Sequence, residues 1–233
     1  MSARLELRDL CPLKGTPVSL TLQAGEALAL IGHNGSGKSE LIRAIAGTDP
    51  TNSGQIVLDG EDISHISLEK RVARGIGWCP EGRRLFPALT VLETLDIAAT
   101  GTRKEREEAA QRMLALFPPL TEKLHEHSWK LSGGQQQMLA LARALIRSPR
   151  LVLLDEPFVG LAPVIVEQIS EALMQLKSEG SSLIISEPSP GAGFALADLY
   201  ALLSRRQIVD TGRIVDRVET ADRIGASLTS GKL

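Results

Sequence analysis

The residues with the clearest capacity for chemistry are Gly32-His33-Asn34-Gly35-Ser36-Gly37-Lys38-Ser39. They fit the P-loop pattern of a glycine, four residues, then glycine-lysine-serine. The glycines let the backbone curl with its N–H groups turned inward, a cradle for a polyphosphate. The positive end of a following helix adds to that attraction. Lys38 is suited to the outer phosphates, and the Ser39 hydroxyl to a Mg2+ ion bound with them. His33, Asn34, Ser36 and Glu40 complete the segment expected to contact the ligand. At average residue frequencies the pattern alone arises in a chain of this length roughly once in a hundred.

Two further stretches carry compatible chemistry. Leu151-Val152-Leu153-Leu154-Asp155-Glu156-Pro157 reads as a buried strand ending in two carboxylates. Asp155 is placed to order a magnesium shell, and Glu156 to polarise the water attacking a terminal phosphate. Ser132-Gly133-Gly134-Gln135 opens a helix with a capping box, and its bare N–H groups form a second anion site. An acidic turn and an ordinary capped helix are the bland alternatives. One chain supplying all three stretches in this order argues against both.

The elements that must position these residues follow from periodicity. Ala27–Ile31 is an apolar strand before the glycine-rich loop, and Leu41–Ala46 a short helix after it, stopping at Gly47. Residues 4–8, 18–22 and 55–58 read as strands of a small antiparallel sheet beside that core. Pro80–Pro87 is a loop joining lobes, with helices expected over 90–99 and 104–117. Met138, Leu141, Ala142 and Leu145 form the inner face of the helix that starts at Ser132. Pro163 opens another helix, Leu183–Ile185 is the next buried strand, and 200–203 with 207–209 form a closing pair of strands. The fold class is therefore α/β: a P-loop NTPase core with a parallel sheet, a small antiparallel β-subdomain and an inserted helical subdomain. The expected domains are 1–80 with 150–215, then 81–149, then a tail over 216–233.

The totals bound the function. The net charge of -2 argues against a nucleic-acid partner, which calls for a basic face. Cys11 and Cys79 lie far apart and in no metal-ligand spacing, as suits free thiols in a reducing compartment. There is no charged-then-apolar leader, and no apolar run approaches the ~20 residues of a membrane helix. A cytoplasmic chain that reaches a membrane only through a partner is the expectation.

These motifs resemble the nucleotide-binding subunits of ABC transporters, over residues 4–215. Gly32–Ser39 corresponds to Walker A, Leu131–Gln135 to the signature, and Leu151–Glu156 to Walker B with its glutamate. Pro80–Val91 is similar to the matching segment of branched-chain amino acid importer ATPases, with Glu81 where most of the family has the Q-loop glutamine. Gln136–Ala140 and Gly160–Pro163 also look like that group. The resemblance implies ATP and Mg2+ as ligands, with Ser39, Asp155 and Glu81 on the metal side. It implies catalysis by Glu156 and Lys38. Ser132, Gly133, Gly134 and Gln135 would serve the ATP of a second such subunit, itself or a paralogue. The further partners implied are integral-membrane permeases and, indirectly, a solute-binding protein, on the inner face of the cell membrane.

Three departures bear on mechanism. Residues 1–31 contain no Phe, Tyr, Trp or His for stacking the adenine, a loss on the order of 1–3 kcal/mol. Weak binding and poor discrimination of ATP from GTP are expected. Pro188 stands at the switch-histidine position, with Ser186 or Ser189 as substitutes and Glu187 able to reach the phosphate only through a cation or water. Ala162 replaces the D-loop aspartate, as in the branched-chain group. The alternatives are a slow or non-hydrolysing partner subunit, an ATPase of a sugar-type importer, and a soluble ABC protein outside transport.

Overall fold

The computed structural model of the chain describes residues 3–12 and 16–229. Strand β1 (Ala3–Pro12) pairs antiparallel with β2 (Val18–Gln23), Leu7 opposite Leu20. The fully buried β3 (Ala27–Ile31) leads through the glycine-rich loop into α1 (Lys38–Ala46). Gly47, left-handed at φ 85, ends that helix and returns its N–H to Arg43 and Ala44. Next come β4 (Thr51–Leu58), β5 (Glu61–Asp62), α2 (Leu68–Ala73) and β6 (Ile76–Cys79). β4 pairs with β1 and carries Gly54, where a Cβ would lie 2.3 Å from the Asp9 carbonyl oxygen. Only glycine fits that crossing.

Helices α3 (Val91–Ala98) and α4 (Arg103–Leu116) follow. Each starts from a threonine, Thr90 or Thr102, in a reciprocal capping box with Glu93 or Glu105. Two 3-10 turns, Pro118–Lys123 and Ser128–Lys130, deliver the chain to α5 (Gly133–Leu145). The remaining elements are β7 (Leu151–Asp155), α6 (Pro163–Ser178), β8 (Ser182–Glu187), α7 (Ala192–Leu196), β9 (Leu199–Ser204), β10 (Gln207–Arg213) and α8 (Arg217–Thr229).

Two sheets result. The antiparallel one runs β2-β1-β4-β5 and the larger β10-β9-β3-β8-β7-β6. In the larger sheet only β10 is antiparallel to its neighbour. The period of two along its strands divides two cores. Ala27, Ala29 and Ile31 of β3, with Val152 and Leu154 of β7, face the cluster formed with α3 to α8. Leu28, Leu30, Leu151 and Leu153 face α1 and the antiparallel sheet. Because both faces are covered, these strands read as unbroken apolar runs rather than alternating ones.

Segment 81–149 contributes α3, α4 and α5, and it shares one hydrophobic cluster with the large sheet. Segment 216–233 carries α8, which buries Ile224 and Leu228 in that cluster. Residues 1–2, 13–15 and 230–233 of the expected spans lie outside the described residues. Among the described residues, no helix is long and apolar enough to cross a membrane.

Candidate nucleotide site

The C-terminal ends of parallel strands β3, β7 and β8 meet at one edge of the sheet, where such folds gather their ligands. From β3 the chain turns into the glycine-rich loop. A Cβ at Gly32 would stand 2.3 Å from the Leu203 carbonyl oxygen and 2.6 Å from Ser36 Oγ, so the loop closes against β9 only with glycine there. Ser36 Oγ is buried without a hydrogen-bond partner among the described residues. Gly37, at φ 106, turns the chain into the first residue of α1. Asn34 and Gly35 are exposed at the tip.

Lys38 is buried, and its ammonium donates to the Gly32 carbonyl at 2.6 Å and the His33 carbonyl at 3.3 Å. It also lies 3.3 Å from Glu156 Oε1. Next on α1, the Ser39 hydroxyl donates to Asp155 Oδ1 at 2.9 Å. Thus the fold brings Lys38 and Ser39 from one motif against Glu156 and Asp155 from another. Glu156 is left-handed at φ 50, a strained conformation for a non-glycine residue of the kind found at functional sites.

Ser186 on β8 fixes the two carboxylates. Its hydroxyl donates to Asp155 Oδ1 at 2.7 Å and accepts the Glu156 backbone N–H at 2.9 Å. The sequence reading named Ser186 only as a stand-in for a switch side chain. Here the hydroxyl is fully engaged beneath the acidic pair.

The sequence allows Glu187 near the phosphate only through an intervening cation or water. Its carboxylate instead accepts the backbone N–H groups of Gly193 and Phe194, both at 2.9 Å, at the start of α7. Burial holds its pKa above the usual carboxylate range, with those hydrogen bonds opposing the shift. Its carbonyl accepts the Gly32 N–H at 3.2 Å and anchors the start of the loop. Pro188 follows as a half-buried residue in the bend after β8.

Other predicted residues stand apart. Glu81 lines a cavity of about 510 Å³ together with Glu156, Arg83, Trp129 and Gln136. The described residues hold no cluster of three or more His, Cys, Asp or Glu side chains that could together hold a metal ion. Ser132 and Gln135 form the reciprocal capping box of α5, the Gln135 N–H donating to Ser132 Oγ at 3.3 Å. Gly133 packs under the Arg83 guanidinium and Gly134 against Ile165.

Two features escaped the sequence. His33 Nε2 lies 3.0 Å from the Leu228 carbonyl oxygen, at the last turn of α8. Arg206, in the turn between β9 and β10, grips the loop and Glu40. A hairpin arginine and the helix α8 have no spacing signal that links them to a loop 166 and 195 residues earlier.

Relatives can be set beside this geometry. The family described as ABC transporter matches residues 16–159. The chain is 39% identical over 199 residues to the high-affinity branched-chain amino acid transport ATP-binding protein BraG of Pseudomonas aeruginosa, covering 85% of this chain and 83% of that one. It is 33% identical to the lipopolysaccharide export system ATP-binding protein LptB of Haemophilus influenzae, covering 85% and 81%. The fold superposes with TM-score 0.81 on a dimeric ATP-binding cassette bound to ADP and Pi, at 22% identity, over 91% of this chain and 99% of that one. The glycine-rich loop, the acidic strand end and these similarities agree: the chain belongs to the ABC transporter family, as one of its ATP-binding, ATPase subunits.

Proposed function

We propose that this subunit hydrolyses ATP to drive import of branched-chain amino acids or related small polar solutes. The observation that carries the catalytic part is the convergence of Lys38 with Glu156 and of Ser39 with Asp155. ATP lies along Gly32–Glu40, its terminal phosphates meeting Lys38 in place of the loop carbonyls Lys38 now holds. Glu156 accepts a proton from water as the water oxygen bonds to the terminal phosphorus. The bond from that phosphorus to the bridging oxygen breaks, giving ADP and inorganic phosphate.

A hydroxyl and a carboxylate oxygen sharing one hydrogen bond suit a hard divalent cation, which takes few protein oxygens and completes its shell with phosphate and water. Ser39 and Asp155 would hold Mg2+, and Glu81 is a further candidate ligand. When bound, the ion neutralises phosphate charge. Ser186 would keep Asp155 aimed at it.

Two subunits, alike or paralogous, would pair head to tail. Ser132, Gly133, Gly134 and Gln135 would then meet the partner's ATP with the N-terminus of α5. The permeases would dock beside the loop 80–87. There Phe86 is 63% exposed and borders an apolar recess of about 360 Å³ with Leu68, Val72 and Trp78. The subunit would then work on the inner face of the membrane, with a solute-binding protein reached only through the permease. Likeness to BraG supports the amino-acid cargo, whereas LptB belongs to a lipopolysaccharide export system.

The test is steady-state ATP hydrolysis with magnesium, wild type beside Glu156→Gln. Turnover in the wild type and its loss in the variant, with ATP still bound, supports the assignment. Binding without turnover in either supports the second reading, a non-hydrolysing partner subunit, which Pro188 at the switch position favours.

A further inference from the structure

Glu40 puts a carboxylate inside the segment read as a polyphosphate site. It is the third residue of α1 and follows the proposed metal ligand Ser39 directly. A carboxylate near a helix N-terminus is favourable while it alone meets the positive dipole end. A polyphosphate drawn to the same N–H groups brings several more negative charges, and the two then compete. Some cation must settle that conflict.

Arg206 is positioned to be that cation. Its Nε donates to Glu40 Oε2 at 2.8 Å and its Nη2 to Glu40 Oε1 at 3.1 Å, a bidentate fork. Its backbone N–H donates to the Ser36 carbonyl at 2.8 Å. Its own backbone and side-chain carbons lie 3.1–3.4 Å from where a Cβ on Gly37 would be. The turn that presents it is left-handed at both Arg205 and Arg206, with φ 47 and 64. The arginine is therefore fastened to the glycine-rich loop by backbone, by packing and by charge. The pair is neither buried nor free, with 40% of the Arg206 side chain and 32% of the Glu40 side chain exposed.

We infer that Arg206 is a charge-compensating residue of the nucleotide site: it neutralises Glu40 so that this loop accepts a polyphosphate. The inference rests on the reading of Gly32–Ser39 as that site. A structural role for the pair, bracing β10 against α1, would not depend on the charge of the ligand, and this difference makes it testable.

The experiment is isothermal titration of the full chain with ATP, ADP and AMP. The proteins are wild type, Arg206→Ala, Glu40→Gln, the double variant, Arg206→Lys and Lys38→Ala. Unscreened like charges across such a site cost roughly tenfold in affinity. Arg206→Ala is expected to weaken ATP about that much, ADP less and AMP least. The double variant should return to within roughly threefold of wild type, and Arg206→Lys should stay within the same range. Glu40→Gln alone, with Arg206 left unpaired, should bind ATP several-fold tighter than wild type. That last arm stands even where Arg206→Ala does not fold.

Equal losses for all three nucleotides with no rescue by Glu40→Gln would overturn the proposal. So would unchanged binding in Arg206→Ala, or no gain in Glu40→Gln. If the wild type binds ATP no better than Lys38→Ala, the nucleotide site itself fails, and this inference with it.

Discussion

Lys38 Nζ lies 3.3 Å from Glu156 Oε1, so the cation of the glycine-rich loop and the carboxylate after β7 already share one buried corner. The lysine fills its remaining donor capacity with the carbonyls of Gly32 and His33. Two of these acceptors are neutral carbonyls and the third a single carboxylate, so a terminal phosphate carrying more negative charge would compete for the side chain in this geometry.

Replacing Lys38 by alanine therefore removes the one ammonium in that corner. ATP affinity is expected to fall about a hundredfold, while the fold stays intact because the loop glycines still close against β9. Titration calorimetry alongside thermal denaturation checks both halves.

Ser186 is expected to act as a positioning residue. Ser186→Ala leaves Asp155 without one of its two hydroxyl donors and the Glu156 N–H without its acceptor. Turnover should drop by roughly tenfold or more with KM for ATP little changed, since the hydroxyl orients the acidic pair without touching the phosphates. An equal rise in KM would point to a binding role instead.

Arg143 ties α5 to the loop after β6. Its guanidinium donates to the Arg84 carbonyl at 2.6 Å and the Arg83 carbonyl at 3.1 Å. Both acceptors belong to left-handed residues, φ 62 at Arg83 and 44 at Arg84. Removing the donor leaves a strained turn with two unpaired carbonyls. Arg143→Ala should cost about 2–3 kcal/mol in urea denaturation, and increased protease cleavage within 80–87 should accompany it.

Glu187 gives a pH signature. Burial raises its pKa in the folded chain, so folding favours the protonated form. Its contribution is present in full below the ordinary carboxylate range and is lost as pH rises through the raised value. Thermal stability of the wild type relative to Glu187→Gln should therefore decline as pH rises above the ordinary carboxylate range. A difference that grows with pH would show the two backbone N–H donors outweighing desolvation.

Much of this was legible from residue order. Gly32–Ser39, Asp155–Glu156 and Ser132–Gln135 announce themselves because their chemistry is local: a backbone curl, a strand end, a helix cap. The strands flanking them were legible too, since burial on both faces demands apolar runs such as Leu151–Leu154. Strand extents were less so. β1 runs on to Pro12 through a register shift near Gly54, which polar–apolar alternation does not signal. The partners of Glu187 were not legible, because its neighbours along the chain say nothing of the α7 N–H groups that claim it.

By itself the sequence determined which atoms this protein has for binding and cleaving a phosphate, and the family and fold that carry them. Only the tertiary structure decided what those atoms face. Lys38 and Glu156, Ser39 and Asp155, and Glu40 and Arg206 are each separated by more than a hundred residues. Parallel strand order, not local propensity, sets them side by side: β8 lies between β3 and β7, and β9 closes on β3 from the other side. A pairing between distant segments is a property of the packed sheet, and no spacing along the chain encodes it.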